Sequence, residues 1–290
     1  METDVWREIG DGVFVRSYEA QRLNIGLVVG SRRCLVVDTR STLTQGRELA
    51  RAVREVTSRR WIVANTHAHW DHCFGNAEFL PADIWGHRRC VTMLDRYGPI
   101  QRDAVAAQAV AEGDRGFAGE IAEVAITPPT RTMEVSARVD LGGRSVRLRH
   151  LGLGHTDNDV VVEVPDAEVV FAGDLVEEGE PPAFEDAFPL DWPATLARLA
   201  SLARGPVVPG HGAVVDSAYV ARQAEWLTSV ADGTRTAHAG GRDPTEAARK
   251  LPLPEPVARY AALRAYRQLD GAPAYDPPAD VRAALGLPPA

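Results

Sequence analysis

Thr66-His67-Ala68-His69-Trp70-Asp71-His72 follows directly on the apolar run Trp61-Ile62-Val63-Ala64-Asn65. Three imidazoles and a carboxylate so close together are costly to bury as packing, because every polar atom would need a partner. As metal ligands they make sense, since imidazole and carboxylate are borderline donors suited to zinc, iron or manganese. In extended backbone His67 and His69 project to one side. Once the chain turns, Asp71 and His72 can face a second position nearby, so that one segment feeds two metal positions. The bland alternative is a surface histidine cluster or a tag-like tract, and the strand immediately before the segment weighs against it.

The same placement recurs further along. His155 sits in Gly152-Leu153-Gly154-His155-Thr156, past a strand expected to end at His150. Asp174 sits in Phe171-Ala172-Gly173-Asp174, past Val169-Val170, and His211 in Pro209-Gly210-His211-Gly212, past Val207-Val208. Each alone reads as a turn. Their shared position, at the carboxyl end of a strand, is where ligand sites gather in α/β folds. The glycines let the backbone bend beside a crowded centre.

Upstream, Val13–Val15, Ile25–Val29 and Leu35–Val37 read as short strands, with Gly30-Ser31-Arg32-Arg33 as a hairpin turn between the last two. Ser41 or Thr42 can cap a helix whose Leu43, Leu49, Ala50, Val53 and Val56 fall on one face. Another helix is expected at His87–Tyr97. Gly98–Glu123 reads as helical, polar and rich in Ala, broken at Gly113 and Gly116. A second β series is expected from Thr132, through 145–150, 160–164 and 169–172, before a helix at Ala194–Ala203. This alternation predicts layers of helix on sheet. Residues 1–217 are expected to form a catalytic domain, with 98–125 as a helical insertion or lid. Residues 218–290 are expected to be a helical extension with Pro-rich joints, its tail from Ala272 loosely packed.

The 290 residues are 45% hydrophobic and 25% charged, an ordinary globular composition that argues against disorder. With 32 basic against 40 acidic side chains the net charge is −8, which disfavours a nucleic-acid partner. No apolar run is long enough to cross a bilayer, and the acidic, glycine-broken start, Met1–Gly12, does not read as a secretory signal. Cys34, Cys73 and Cys90 are too few and too scattered for a disulfide framework, which fits a reducing cytoplasm. The expected partner is a small-molecule substrate, with neither nucleic acid nor membrane involved; a homodimer is compatible with this.

Taken in order, His67-Ala68-His69-Trp70-Asp71-His72, Gly154-His155-Thr156, Gly173-Asp174 and Gly210-His211-Gly212 resemble the metallo-β-lactamase superfamily over about Val13 to His211. The resemblance implies an α/β, four-layer αβ/βα sandwich, with a metal site at one edge between its two sheets. It implies one metal on His67, His69 and His155, a second on Asp71, His72 and His211, and Asp174 bridging both. The implied cofactors are two zinc ions, with iron or manganese admissible. With Asp rather than Cys as the bridging residue, the site resembles the glyoxalase II, lactonase and general hydrolase branches. Asn158 stands where many members have Gly, and is expected to tolerate a left-handed backbone there.

Such a centre implies a hydrolase. Two divalent ions about 3.5–4 Å apart, only half offset by two aspartates, lower the pKa of a bridging water toward about 7. The hydroxide would attack the carbonyl of a small ester, thioester, lactone or amide, with Asp71 orienting it and handing on its proton. Three other readings share the scaffold. One is a mononuclear iron persulfide dioxygenase, with iron on His67 or its neighbours, His155 and Asp174. The others are a β-lactamase, which nothing in the sequence indicates, and a catalytically silent metal-binding module. Beyond His211 there is no Lys/Arg-and-Tyr arrangement assignable to glutathione.

Other residues compete for roles. Cys73 is expected to be a small packing residue and Cys34 part of a core. His150 is read either as support for the metal site or as a structural histidine, and His87 and His238 as exposed. Asp38 is expected to be buried and to hydrogen-bond the loop carrying His67. Trp70, Phe74, Trp85, Phe184, Phe188 and Trp192 are candidates to line an apolar pocket, Trp85 being better read as core.

Overall fold

The computed structural model describes residues 4–272. Hairpins open the chain: β1 (Trp6–Gly10), β2 (Val13–Ser17), β3 (Asn24–Val29) and β4 (Arg33–Val37) pair antiparallel in chain order. The pattern then changes to strand, helix, strand. Thr42 caps α1 (Leu43–Val56), its side chain accepting from the Gln45 amide, and the chain returns as β5 (Arg60–Ala64) parallel to β4. Next come α2 (Trp70–Cys73), β6 (Ile84–His87), α3 (Arg88–Glu112), α4 (Arg115–Ala122) and β7 (Arg131–Met133). β5, β6 and β7 pair in parallel, completing a seven-stranded sheet in sequence order.

The second sheet contains β8 (Ser136–Asp140), β9 (Ser145–Arg149), β10 (Val161–Val164) and β11 (Val169–Glu177) as an antiparallel meander. After α5 (Trp192–Leu202), β12 (Val207–His211) joins it parallel to β11. α6 (Ser217–Ala239), α7 (Pro244–Ala248) and α8 (Val257–Leu269) follow.

Period-two alternation sorts the side chains into layers. Val13, Val28, Leu35 and Ile62 of the first sheet meet Leu148, Val162, Phe171 and Val208 of the second. On the outer face of the first sheet, Leu49 and Val53 of α1 pack on Leu27, Val36 and Val63. On the outer face of the second, Leu196 and Leu199 of α5 and Leu227 and Val230 of α6 pack on Val161, Val170 and Leu175. The expected four-layer αβ/βα sandwich is therefore the observed one. β11 is buried along its whole length, and its first residues, Val169–Ala172, read as a continuous apolar run.

Several boundaries differ from expectation. The helix beginning after His87 runs through Gly98 and Pro99 to Glu112. It ends at Gly113, whose φ of 89° supplies the left-handed C-cap. Gly116 breaks nothing and lies inside α4, which Asp114 caps. β7 pairs with β6 and belongs to the first sheet instead of opening the second. β11 continues through Asp174 to Glu177, and β12 ends on His211, so Asp174 lies within a strand and His211 at a strand end, not in the turns after them. β1 and β6 were not anticipated. The tail expected from Ala272 lies, from residue 273 on, outside the described residues. No helix among the described residues is long and apolar enough to cross a membrane.

β3 and β11 approach so closely that a Cβ on Gly26 would run into the Phe171 ring. Gly26→Ala is expected to destabilise the fold by about 1–3 kcal/mol, read as a lower thermal midpoint that Phe171→Leu partly restores. An unchanged midpoint in Gly26→Ala would refute this account of how the sheets are spaced.

Candidate metal centre

Asp38 follows β4 in the left-handed region, with a φ of 66°, and is 2% exposed. Its Oδ1 accepts from the Thr66 amide at 2.8 Å. Its Oδ2 accepts from the Thr66 hydroxyl at 2.8 Å and from His72 Nδ1 at 2.8 Å. With its hydrogen given to Asp38, Thr66 Oγ1 accepts from His67 Nδ1 at 3.0 Å. His67 and His72 thus give their Nδ1 hydrogens to these acceptors and turn Nε2 inward. The bond expected between Asp38 and the His67 loop is present, and it reaches His72 as well.

The remaining side chains are oriented in similar ways. His69 is the N-cap residue of α2, whose single turn presents Asp71 and His72. His69 Nε2 pairs with Asp186 Oδ2 at 3.1 Å, leaving Nδ1 facing inward. His211 Nδ1 donates to the Gln21 carbonyl at 2.7 Å, turning Nε2 inward. The His155 loop is closed by Asp159, whose carboxylate accepts from the Thr156 amide and hydroxyl. The Val160 amide ties that loop to the Thr66 carbonyl at 2.7 Å. Gly173, at a φ of 56°, brings β11 past Thr66 where a Cβ would sit only 2.8 Å from the threonine Cβ.

All seven residues singled out from the sequence come together. His67, His69, His155 and Asp174 form one group, and Asp71, His72 and His211 another; within each, ligand atoms lie within 4.8 Å of one another. Asp174 faces both. Its Oδ2 is 3.6 Å from His67 Nε2 and from His155 Nε2, and 3.3 Å from His211 Nε2; its Oδ1 is 3.2 Å from His72 Nε2. Asp71 Oδ2 lies 3.3 Å from His211 Nε2 and 3.4 Å from His72 Nε2.

This donor set fits divalent metal ions. His67 Nε2 and Asp174 Oδ1 are buried with no hydrogen-bond partner. His69 Nδ1 and His155 Nε2 face each other at 2.9 Å, and the Nε2 atoms of His72 and His211 at 3.2 Å. Ring nitrogens so close need a proton or a metal ion between them. In the metal-free chain, burial disfavours charged imidazole, but Asp186 outweighs it at His69 and lifts that ring to about 9. Asp174 and Asp71 likewise outweigh burial at His72 and His211, holding both well above the usual histidine range. Burial dominates at His67 and at His155, which falls to about 4. Asp71 and Asp174, whose burial alone would raise them, are held well below the carboxylate range by His72 and His211.

Elsewhere the outcome is mixed. His87 is buried, not exposed: its Nδ1 accepts from the Arg89 amide to cap α3, and its Nε2 bonds the Glu134 carbonyl. His150 stacks on it at 4.5 Å and bonds the Asp159 carbonyl, so it steadies the His155 loop from outside the centre. His238 is half-buried and paired with Asp270. Cys34 and Cys73 are free and buried, the Cys73 thiol donating to the His69 carbonyl. Phe74, Phe184, Phe188 and Trp192 are core, and Trp85 packs against the inter-sheet core. Trp70 alone of the six aromatics lines the cavity of about 590 Å³ over the centre. Asn158 does not adopt a left-handed backbone; its amide donates to Thr156 Oγ1, so side-chain bonds make the turn. Sequence reading missed Asp186 and Glu177, whose Oε1 is 3.9 Å from His155 Nδ1. The signal available was an acidic pair, Glu185-Asp186, set between two phenylalanines.

Two measurements test this arrangement. Metal binding should displace protons from His69, His72 and His211, so affinity should fall as pH falls, and calorimetry in buffers of different ionisation heat should show proton release; none would refute the assigned protonation. Asp38→Ala, which unseats both His67 and His72, should weaken metal binding about 10–100-fold in a chelator competition. Unchanged affinity would remove Asp38 from this role.

Residues 21–211 match the family described as the metallo-beta-lactamase superfamily. No curated protein matches the chain. Similar solved structures include TMB-1, with a TM-score of 0.58 and 18% identity, covering 79% of this chain and 100% of that one. A metallo-beta-lactamase from Pontibacter korlensis has a TM-score of 0.59 at 18% identity, covering 77% and 98%. DIM-1 metallo-beta-lactamase has 0.58 at 17%, again covering 77% and 98%. At such identities the likeness to these structures is one of fold. The match through His211, borne by a sandwich that gathers its histidines and aspartates at one sheet edge, places this chain in the metallo-β-lactamase superfamily of metallo-hydrolases.

Proposed function

We propose that the protein is a binuclear zinc hydrolase that opens a small ester, thioester, lactone or amide in the cytoplasm. The observation that carries this reading is Asp174, whose two oxygens face the two ligand groups from between them. His67, His69 and His155 would hold one ion and Asp71, His72 and His211 the other, with Asp174 shared. Bound there, two divalent ions would supply Lewis acidity and a water ionised near neutral pH. Asp instead of Cys in the shared position supports the likeness to the glyoxalase II, lactonase and general hydrolase branches.

The chain's own side chains do the rest. Asp71 is ionised and lines the cavity, placed to orient the attacking water and pass on its proton. Asp38 and Asp186 fix which nitrogens of His72 and His69 face the centre. A thiol nucleophile is not needed: Cys73 is buried, and burial pushes its thiol well above the usual range.

Asp174→Ala and His211→Ala are expected to reduce hydrolysis of a thioester, lactone and β-lactam panel to background, and elemental analysis of the wild type should return two zinc per chain. Full activity in either variant would overturn the reading. One iron per chain with oxygen uptake would replace it with the persulfide dioxygenase.

A further inference from the structure

The cavity above the centre has a one-sided charge. The short segment from Glu177 to Asp186 contributes four carboxyl groups to its walls, Glu177, Glu180, Glu185 and Asp186, in addition to the ligand aspartates. Among the described residues no lysine or arginine lines it. Arg22, near the rim residue Gln21, is turned onto Glu178 at 2.9 Å. Arg264 lies behind the wall and donates to the Ala187 and Asp186 carbonyls. α2 and α3 supply neutral surface, chiefly Trp70, Val105 and Gln101. The same cavity opens onto the candidate metal ligands His69, Asp71, His155, Asp174 and His211, which marks it as the place where a substrate would lie on grounds separate from its acidity.

We propose that this cavity selects substrates bearing a protonated amine some distance from the carbonyl that is opened, and discriminates against substrates bearing a carboxylate. The proposal rests on the hydrolase reading and narrows its substrate class. Ionised, the wall carboxyls attract an ammonium and repel an anion. Where one of them is protonated, its carbonyl oxygen still accepts from an N–H donor, and the repulsion of an anion falls to the groups that stay ionised, Asp186 among them. Glu180, exposed at the rim, acts at longer range by raising the local concentration of cations. Trp70 gives the apolar stem between amine and carbonyl a surface to lie on, and its ring face favours a cation passing over it.

The test compares three phenyl esters of similar length on the metal-loaded enzyme: 6-aminohexanoate, heptanoate and the monoester of heptanedioate. The kcat/KM of the ammonium ester should exceed that of the carboxylate ester about tenfold or more, mainly through KM, and the gap should narrow as salt is added. The Glu180→Gln, Glu185→Gln double variant should shrink the gap. Independently of turnover, 1,6-diaminohexane should raise the Tm of the wild type and lose that effect in the double variant. Failure of all three esters and of the thioester, lactone and β-lactam panel would sink the hydrolase reading; failure of the three esters with turnover on that panel would leave the Tm comparison to decide this one. Opening of the neutral ester with no preference for the ammonium ester, or with a preference for the carboxylate, would sink this inference alone, as would a diamine without effect on Tm.

Discussion

One buried carboxylate holds the centre in register. Asp38 takes three donors, the Thr66 amide, the Thr66 hydroxyl and His72 Nδ1, while its own amide donates to the Ala64 carbonyl. Burial pushes its pKa upward, and the bonds from His72 and Thr66 oppose that. A left-handed aspartate is a backbone state that costs on the order of 1 kcal/mol. Here it turns the carboxylate from the end of β4 across to the end of β5. The two neighbouring parallel strands are thereby joined at their carboxyl ends by side-chain chemistry, and the strand-end loop has no freedom to point His67 or His72 elsewhere.

The two sheets contribute unlike halves to the site. The first supplies His67, His69, Asp71 and His72 from one loop and one helical turn; the second supplies His155, Asp174 and His211 from three separate segments. Their relative placement is set by contacts near the centre. Asn24 Nδ2 donates to the Pro209 and Gly212 carbonyls, Leu23 bridges His211, and the Val160 amide reaches Thr66. Each candidate ligand group draws on both sheets, so an ion bound there would cross-link the halves of the sandwich and favour the folded chain.

What the sequence made legible follows from how local each signal is. His67 to His72 could be read because ligands, strand and turn are contiguous, and Asp38 because an acid closing an apolar strand must find donors. The run from Leu35 to Val37 and the capped α1 are equally local. Asp186 was not legible, since its role depends on where a loop after β11 is carried in space. β6 has four residues and one exposed neighbour turn, too little for a period to show, and the sheet that β7 joins is decided by a parallel partner distant in sequence. His87, a lone histidine at the start of an expected helix, reads as exposed in the sequence. It is buried because it closes one helix and stacks on a ring from the other sheet's edge.

The acidic balance of −8 is not spread evenly, and its arrangement links metal geometry to substrate choice. Asp71 and Asp174 face the ion positions, Asp38 and Asp159 fix loops, and Glu177, Glu180 and Glu185 face the cavity. Asp186 belongs to two of these sets, since it both lines the cavity and holds His69 at 3.1 Å. Its carboxylate, drawn down to about 2 by His69 against the effect of burial, stays charged in both roles. The loop carrying Glu185 and Asp186 is itself anchored by Arg264, which donates to the carbonyls of Asp186 and Ala187 from α8. The helices after β12 therefore reach the centre through this loop, and any change of cavity charge there also bears on the orientation of His69.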